Sequence, residues 1–264
     1  STPLFYYRQH SLSLSINNNR LLDERKKIKR QNIGEKYKNY KIAIIVGAKN
    51  SYEELPNLVL KKFKSKPLID YTLEALNDFD YNGITIISTD DDAVIEHCNK
   101  NDDLLTIKRT PELSQNSAII ENIVYHSVKY IEDNNIYSPD IVMFLNVNNP
   151  MKNSGHIHKA IDTLLMYQCD SVISVYEDFD LHYQHKRYGL EAISKRRHRR
   201  LRIEREALFV DNRAINICWR SVIKENNFRG KSIGHIIMNR EESINIKSEF
   251  DFKFAESIFE KMKI

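Results

Sequence analysis

The sequence predicts an α/β fold with three layers, in which helices cover both faces of a mostly parallel β-sheet. Short apolar runs alternate along the chain with longer segments in which apolar residues recur every three or four positions. We interpret the short runs as strands at Ile42–Val46, Ile84–Ser88, Leu104–Lys108, Ile141–Asn146 and Ser171–Tyr176. We interpret the longer segments as helices at Pro67–Asn77, Asp91–Asn99, Ala118–Asp133 and Ser154–Tyr167. This alternation is typical of βαβ units, whose parallel strands are buried on both faces.

The last third of the chain interrupts this alternation and then returns to it. The segment Glu177–Leu208 breaks the pattern, whereas Ala214–Trp219 and Ile233–Met238 again resemble strands. A final helix is predicted near Phe250–Met262, with Ser248 as its N-cap.

The ends of the strands indicate where a ligand would bind. Open parallel sheets bind ligands at the carboxyl ends of their strands. We therefore expect the loops after Val46, Ser88 and Asn146 to border one cleft.

Positive charge is concentrated at the start of the chain. Residues 1–40 carry nine Lys or Arg and three Asp or Glu, so their net charge is +6. Since the whole chain has a net charge of +4, residues 41–264 have a net charge of −2. Basic segments can bind nucleic acid or anionic membranes. The helical spacing in Leu21–Ile28 favours a solvated helix face instead, and we predict no nucleic-acid partner. No apolar run approaches the roughly 20 residues of a membrane-spanning helix.

The cysteines predict packing rather than chemistry. Cys98, Cys169 and Cys218 are odd in number and widely spaced, without the close pairs of a zinc site. A reducing, cytoplasmic location with three buried thiols fits this pattern best.

Short motifs in a fixed order carry a family resemblance. They are Lys66-Pro67-Leu68-Ile69, Ser88-Thr89-Asp90-Asp91, Arg109-x-Pro111-Glu112-Leu113, Leu145-x-x-x-Asn149-Pro150, Ser171-Val172-Ile173-Ser174-Val175, Asn212-x-Ala214-Ile215 and Ser243-Ile244-x-Ile246. In this order they resemble the motifs of the acylneuraminate cytidylyltransferases, or CMP-sugar synthetases. The resemblance implies a Rossmann-like fold of the nucleotide-diphospho-sugar transferase type and a homodimer. It also implies transfer of CMP from CTP to an acidic sugar in surface-glycan biosynthesis.

We accordingly divide the chain into a basic N-terminal extension or linker, residues 1–40, and a cytidylyltransferase-like domain, residues 41–264. Within the extension, Tyr6-Tyr7-Arg8-Gln9-His10 resembles the closing segment of family 2 glycosyltransferase domains. That resemblance predicts that the chain is part of a longer protein, with a fused or partner glycosyltransferase.

The phosphate-binding loop departs from the family pattern. The family has Ala-Arg-x-x-Ser-Lys after the first strand. In this chain Ser51 remains, but Ala48 stands for the arginine and Tyr52 for the lysine. Glu53-Glu54 adds negative charge, and Lys49 could replace part of the positive charge that is lost.

The metal ligands of the family are also replaced. Its Asp-Ile-Asp motif, which binds Mg²⁺, reads Asn245-Ile246-Lys247 here. Mg²⁺ prefers anionic oxygen ligands, so we predict no metal site in the unmodified chain and a need for Mg²⁺ only if the chain is active. The acidic cluster Asp90–Asp92 is explained as a helix N-terminus capped by Asp90.

The resemblance leaves a set of candidate binding residues. Those assigned to the nucleotide are Lys49, Ser51, Ser88 and Asn146. Those assigned to the sugar are Arg197, Arg199 and Asn212, the first two within the basic run Lys195–Arg202. That run fits an acidic ligand or an interface better than nucleic acid, because it lacks interleaved aromatic residues.

Two functions remain open. The substituted loop and metal positions favour a domain that binds a sugar or nucleotide, or acts as a scaffold, with weakened or lost catalysis. The alternative is an active CMP-nonulosonate synthetase with altered phosphate and metal ligands.

Overall fold

The computed structural model describes residues 36–49, 55–115, 118–193 and 208–262. The strands are β1 (Ile42–Ala48), β2 (Lys62–Phe63), β3 (Lys66–Pro67), β4 (Gly83–Thr89), β5 (Leu104–Lys108), β6 (Ile141–Asn146), β7 (Ser171–Asp178), β8 (Tyr183–Lys186), β9 (Gly189–Ala192), β10 (Leu208–Trp219) and β11 (Ile233–Ile237). The helices are α1 (Leu68–Asn77), α2 (Asp92–Cys98), α3 (Pro111–Ser114), α4 (Ile120–Asp133), α5 (Ser154–Tyr167) and α6 (Glu249–Met262).

Seven strands form the central sheet in the order β11-β7-β10-β6-β1-β4-β5. Strand β10 runs antiparallel to both of its neighbours, and the other four pairings are parallel. The mostly parallel sheet predicted from the alternation is therefore confirmed.

Strand β1 explains why the sheet lies between two layers. Successive side chains of a strand point to opposite faces. Ile42, Ile44 and Val46 join the apolar core on one face, where α1, α5 and α6 pack. Ala43 and Ile45 join the second core, which α4 covers. Every residue of β1 is buried, so the apolar run in the sequence reflects a strand with no solvent-facing side.

The predicted elements agree with the structure except near their ends. Asp91, not Asp90, caps α2, because its carboxylate accepts a hydrogen bond from the Ala93 N–H at 2.7 Å. Ser248 caps α6 as predicted. Its hydroxyl accepts from the Asp251 N–H at 3.2 Å, and its own N–H donates to the Asp251 carboxylate at 3.0 Å. Strand β10 begins at Leu208, well before Ala214, because it continues along β7 through a bulge.

A small hairpin occupies part of the irregular segment. Strands β8 and β9 pair with each other in a separate two-stranded sheet. The candidate residues Arg197 and Arg199, like Ser51 and Tyr52 of the loop, lie outside the described residues.

Two predictions from composition can be compared with the described part of the chain. Cys98, Cys169 and Cys218 are buried and unbonded, as predicted. Burial raises the pKa of Cys98 to about 11 and that of Cys218 to about 12, so these two thiols stay protonated. None of the described helices has the length and apolar character needed to cross a membrane.

Candidate functional site

A cleft of about 210 Å³ lies at the carboxyl ends of the central strands. Its position follows from the strand register, since Gly47 of β1 pairs with Ser88 of β4 on one side and Asn146 of β6 on the other. A Cβ atom on Gly47 would lie 2.4 Å from Cζ of Phe144, so the backbone packs directly against that ring. The cleft therefore lies at the predicted strand ends, and the residues after Val46 and Asn146 line it. No described residue of the loop after Ser88 does so.

Basic and amide side chains line this cleft. The basic ones are Lys49, Arg109, Arg213 and Lys247, and the amides include Asn146, Asn148 and Asn245. No Asp or Glu belongs to the lining in the described part of the chain. Like charges that line one pocket repel each other, and an anion between them relieves that repulsion. The charges on the described lining residues therefore favour an anionic ligand.

Arg109 is held in the wall by Ser88. The Arg109 side chain is buried; its Nε donates to Ser88 Oγ at 3.0 Å, and Nη2 donates to the Ser88 carbonyl at 2.9 Å. Ser88 is itself fully buried and does not line the cleft. Its contact with nucleotide stays a prediction, whereas its visible role is to position Arg109. Burial, and then the charge of Arg109, lower the pKa of His126 on α4.

The segment after β11 brings two substituted positions to the cleft. Ile246 is fully buried, and its N–H donates to the Asn148 carbonyl at 2.8 Å. Its neighbours Asn245 and Lys247 both line the cleft as a result. The Nδ2 atom of Asn245 lies 3.5 Å from the Asn212 carbonyl, and its Oδ1 is buried without a hydrogen-bond partner among the described residues.

These residues do not fit a magnesium ion. Mg²⁺ requires several hard oxygen ligands, of which at least one or two are usually carboxylates. The cleft offers the single unsatisfied amide oxygen of Asn245, with the Lys247 ammonium among its lining residues. Within the described ranges, no group of three or more His, Cys, Asp or Glu could hold a metal.

Asn212 is a buried structural residue in this conformation. Its Oδ1 accepts from Ser174 Oγ at 2.5 Å and from the Ala214 N–H at 3.1 Å. Its Nδ2 donates to Ser243 Oγ at 2.9 Å and to Met238 Sδ at 3.3 Å. Sugar binding by Asn212 stays a prediction, and it would require these bonds to be exchanged.

Lys152 fixes the loop after β6. Its Nζ is buried and donates to the carbonyls of Asn146 and Asn149, each at 2.7 Å. Burial lowers the pKa of Lys152 to about 7. The sequence does not distinguish this lysine from a solvent-exposed one, because its hydrogen-bond acceptors are backbone carbonyls, which every residue type has.

Comparison with known proteins agrees with the fold. Residues 43–258 match the family model described as cytidylyltransferase, which is most of the chain. The chain belongs to the cytidylyltransferase family.

Curated relatives are N-acylneuraminate cytidylyltransferases of Streptococcus agalactiae. The protein of serotype III (strain NEM316) is 24% identical over 218 residues, which are 79% of this chain and 51% of the relative. The protein of serotype V (strain ATCC BAA-611 / 2603 V/R) is 27% identical over 136 residues, or 50% of this chain and 31% of the relative. This cytidylyltransferase chain thus spans about half the length of the first of these relatives.

Solved structures share the fold. A CMP:2-keto-3-deoxy-manno-octonic acid synthetase complexed with CTP superposes with a TM-score of 0.60 at 12% identity, covering 84% of this chain and 99% of that one. A 4-diphosphocytidyl-2C-methyl-D-erythritol synthase from Anaerococcus prevotii gives 0.61 at 12% identity, covering 85% and 98%. At this identity the likeness establishes the nucleotide-sugar transferase type of fold that the motifs predicted.

Proposed function

We propose that this cytidylyltransferase domain binds an anionic nucleotide or acidic sugar of glycan biosynthesis and has weakened or lost nucleotidyl transfer. The observation that carries the proposal is the composition of the cleft, where Lys49, Arg109, Arg213 and Lys247 line one pocket without a described carboxylate. Cations of this kind attract phosphate or carboxylate groups. The same cleft lacks described ligands for the divalent ion that normally offsets the charge of a reacting triphosphate.

Two cations of the cleft favour the alternative function, in which the chain is an active enzyme. Arg213 and Lys247 are fixed positive charges in the same cleft as the phosphate-binding candidates Lys49 and Asn146. Such charges could stabilise the developing negative charge of a transition state without a metal. The alternative is therefore a CMP-nonulosonate synthetase with altered ligands.

A pyrophosphate-release assay distinguishes the two functions. The full chain is incubated with CTP, Mg²⁺ and a panel of nonulosonic acids, and we expect no release above the enzyme-free rate. The Streptococcus agalactiae N-acylneuraminate cytidylyltransferase serves as the positive control. Sustained CTP- and sugar-dependent release by this chain would contradict the non-catalytic proposal and support the alternative.

The proposal includes a homodimer formed through the β8–β9 hairpin. Tyr188 is 91% exposed and Leu190 70% exposed, and Leu181 and Tyr183 add further apolar surface. An exposed apolar surface of this kind on a hairpin favours contact with a second protein surface. The homodimer that the family resemblance implies supports a second copy of the chain as that surface.

Sedimentation analysis tests the dimer. We expect a dimer for the unmodified chain and a folded monomer for Tyr188→Glu combined with Leu190→Glu. The matched control is Met166→Glu with Tyr167→Glu, which changes exposed apolar residues at the end of α5 and is expected to stay dimeric. A hairpin variant that remains dimeric would place the interface elsewhere.

The same proposal covers the cellular location of the domain and its partner protein. A reducing, cytoplasmic location is supported by the three buried free thiols. A fused or partner glycosyltransferase would use the sugar that the domain holds, and its motif lies in residues 1–35, outside the described part of the chain.

A further inference from the structure

Arg213 has a backbone conformation that is unfavourable for arginine. Its φ angle is 61°, in the left-handed region. Side chains with a Cβ rarely adopt this region, because Cβ approaches a carbonyl oxygen, whereas glycine adopts it freely. In the motif that the segment resembles, Asn-Gly-Ala-Ile-Tyr, this position is a glycine. This chain therefore has an arginine where the motif has a residue that suits the backbone.

A bulge in β10 maintains this conformation. The register of β10 against β7 shifts between Asp211 and Asn216. The carboxylate of Asp211 accepts from the Arg213 N–H at 2.8 Å, and the Asn212 carboxamide accepts from the Ala214 N–H at 3.1 Å. Bulges redirect side chains, and strained residues persist where the surroundings hold them in place.

The bulge directs Arg213 to the cationic cleft. Arg213 lines the cleft together with Lys49, Arg109 and Lys247. Its side chain is exposed, and no described carboxylate forms an ion pair with it. The carboxylate closest to Arg213 in the sequence, that of Asp211, binds Nη2 of Arg229 at 2.7 Å. An added cation among like charges raises the free energy of the empty cleft, so packing alone does not explain its presence.

We propose that Arg213 is a ligand-binding residue, which with Lys247 makes the cleft a metal-independent site for the phosphate chain of a nucleotide. The proposal rests on the proposed function and deepens it. A triphosphate carries several negative charges and can engage several of these cations, whereas the carboxylate of an acidic sugar needs one. The guanidinium fork matches two phosphate oxygens at once. Lys247 lies where the family motif has a carboxylate that binds Mg²⁺. Its ammonium group therefore supplies positive charge in place of the metal ion.

The test is calorimetric titration of CTP into the full chain in EDTA, with three variants. Arg213→Gly removes the cation and relieves the backbone, so we expect about ten- to a hundredfold weaker binding. Its melting temperature should stay unchanged or rise by up to about 3 °C. Arg213→Lys keeps the charge and the backbone strain but loses the fork, so an intermediate loss of affinity is expected.

Gln168→Gly is the matched control. Gln168 also has a positive φ, 49°, at the end of α5, which leads into the amino end of β7 at the opposite edge of the sheet from the cleft. We expect a similar thermal response and unchanged binding of CTP. A purely structural role for Arg213 would make the two glycine variants behave alike.

Each outcome has a defined meaning. Loss of CTP binding in Arg213→Gly alone supports the inference. Equal binding by Arg213→Gly and the unmodified chain overturns the inference and leaves the proposed function standing, as does CTP binding that requires Mg²⁺. Binding of N-acetylneuraminate but not of CTP or pyrophosphate overturns the phosphate assignment. Absence of all binding by the unmodified chain overturns the proposed function as well.

Discussion

Replacing Lys152 with alanine is expected to lower the free energy of unfolding by about 2–4 kcal/mol at pH 8. The substitution leaves a cavity where the aliphatic stem was buried, and it leaves the carbonyls of Asn146 and Asn149 without their donor. The substitution also removes the free-energy cost of burying an amine, which offsets part of this loss. Urea unfolding of both proteins measures the difference, and CTP binding should weaken too because Asn146 lines the cleft.

The effect of Lys152 should also depend on pH. Its pKa in the folded protein is about 7, below the ordinary value of 10.5, so between these values the unfolded state binds more protons at this residue. The contribution of this residue to stability therefore rises with pH across that interval and is constant below it. We expect the gap between the unmodified chain and Lys152→Ala to widen from pH 7 to pH 9.

Lys159→Ala is the matched control for this experiment. Lys159 is exposed on α5, seven positions along the chain from Lys152. Its replacement should change stability by less than about 0.5 kcal/mol at every pH. A loss for Lys152→Ala as small as that of the control would show that the lysine does not hold the loop.

Restoring carboxylates at the two substituted positions should create a response to Mg²⁺. The unmodified chain offers one unsatisfied amide oxygen there, so Mg²⁺ is expected to leave its melting temperature unchanged. Asn245→Asp combined with Lys247→Asp supplies two anionic ligands and removes a cation. An ion bound to the folded state stabilises it by about 2.7 kcal/mol at one hundred times its dissociation constant. Differential scanning fluorimetry over a Mg²⁺ series measures the shift.

The control for this variant has the same change in net charge. Gln184→Glu with Lys253→Asp alters two exposed residues outside the cleft and should give no response to Mg²⁺. A Mg²⁺-dependent rise in the unmodified chain, or none in the restored variant, would show that the metal position has been assigned wrongly.

The sequence predicted the architecture because the burial of each element determines the pattern of its apolar residues. Strand β1 is buried on both faces and reads as a continuous apolar run, and the fully buried Ile44 and Val46 lie within it. The rule that ligands bind at strand carboxyl ends then placed the cleft without any knowledge of side-chain positions. Asn146 and Asn245, both predicted for this region, do line it.

The individual site residues were less predictable, because they depend on register and local backbone geometry. Ala48, which stands for the lost arginine of the loop, is fully buried, whereas Lys49, which was predicted to replace part of its charge, lines the cleft. Arg109 was recognised only as part of a motif, since its position depends on the buried Ser88. Arg213 was missed altogether, because its place in the cleft depends on a bulge that the residue types do not reveal.

Nucleotide binding through the cations of the cleft, and not through a metal, is tested most directly by calorimetric titration of CTP into the unmodified chain, once in EDTA and once in excess Mg²⁺. Mg²⁺ neutralises part of the triphosphate charge. A cleft whose described lining is cationic and holds no carboxylate should therefore bind CTP equally well or more weakly when the ion is present. Binding that is at least about tenfold tighter with Mg²⁺, or that occurs only with it, would contradict the account.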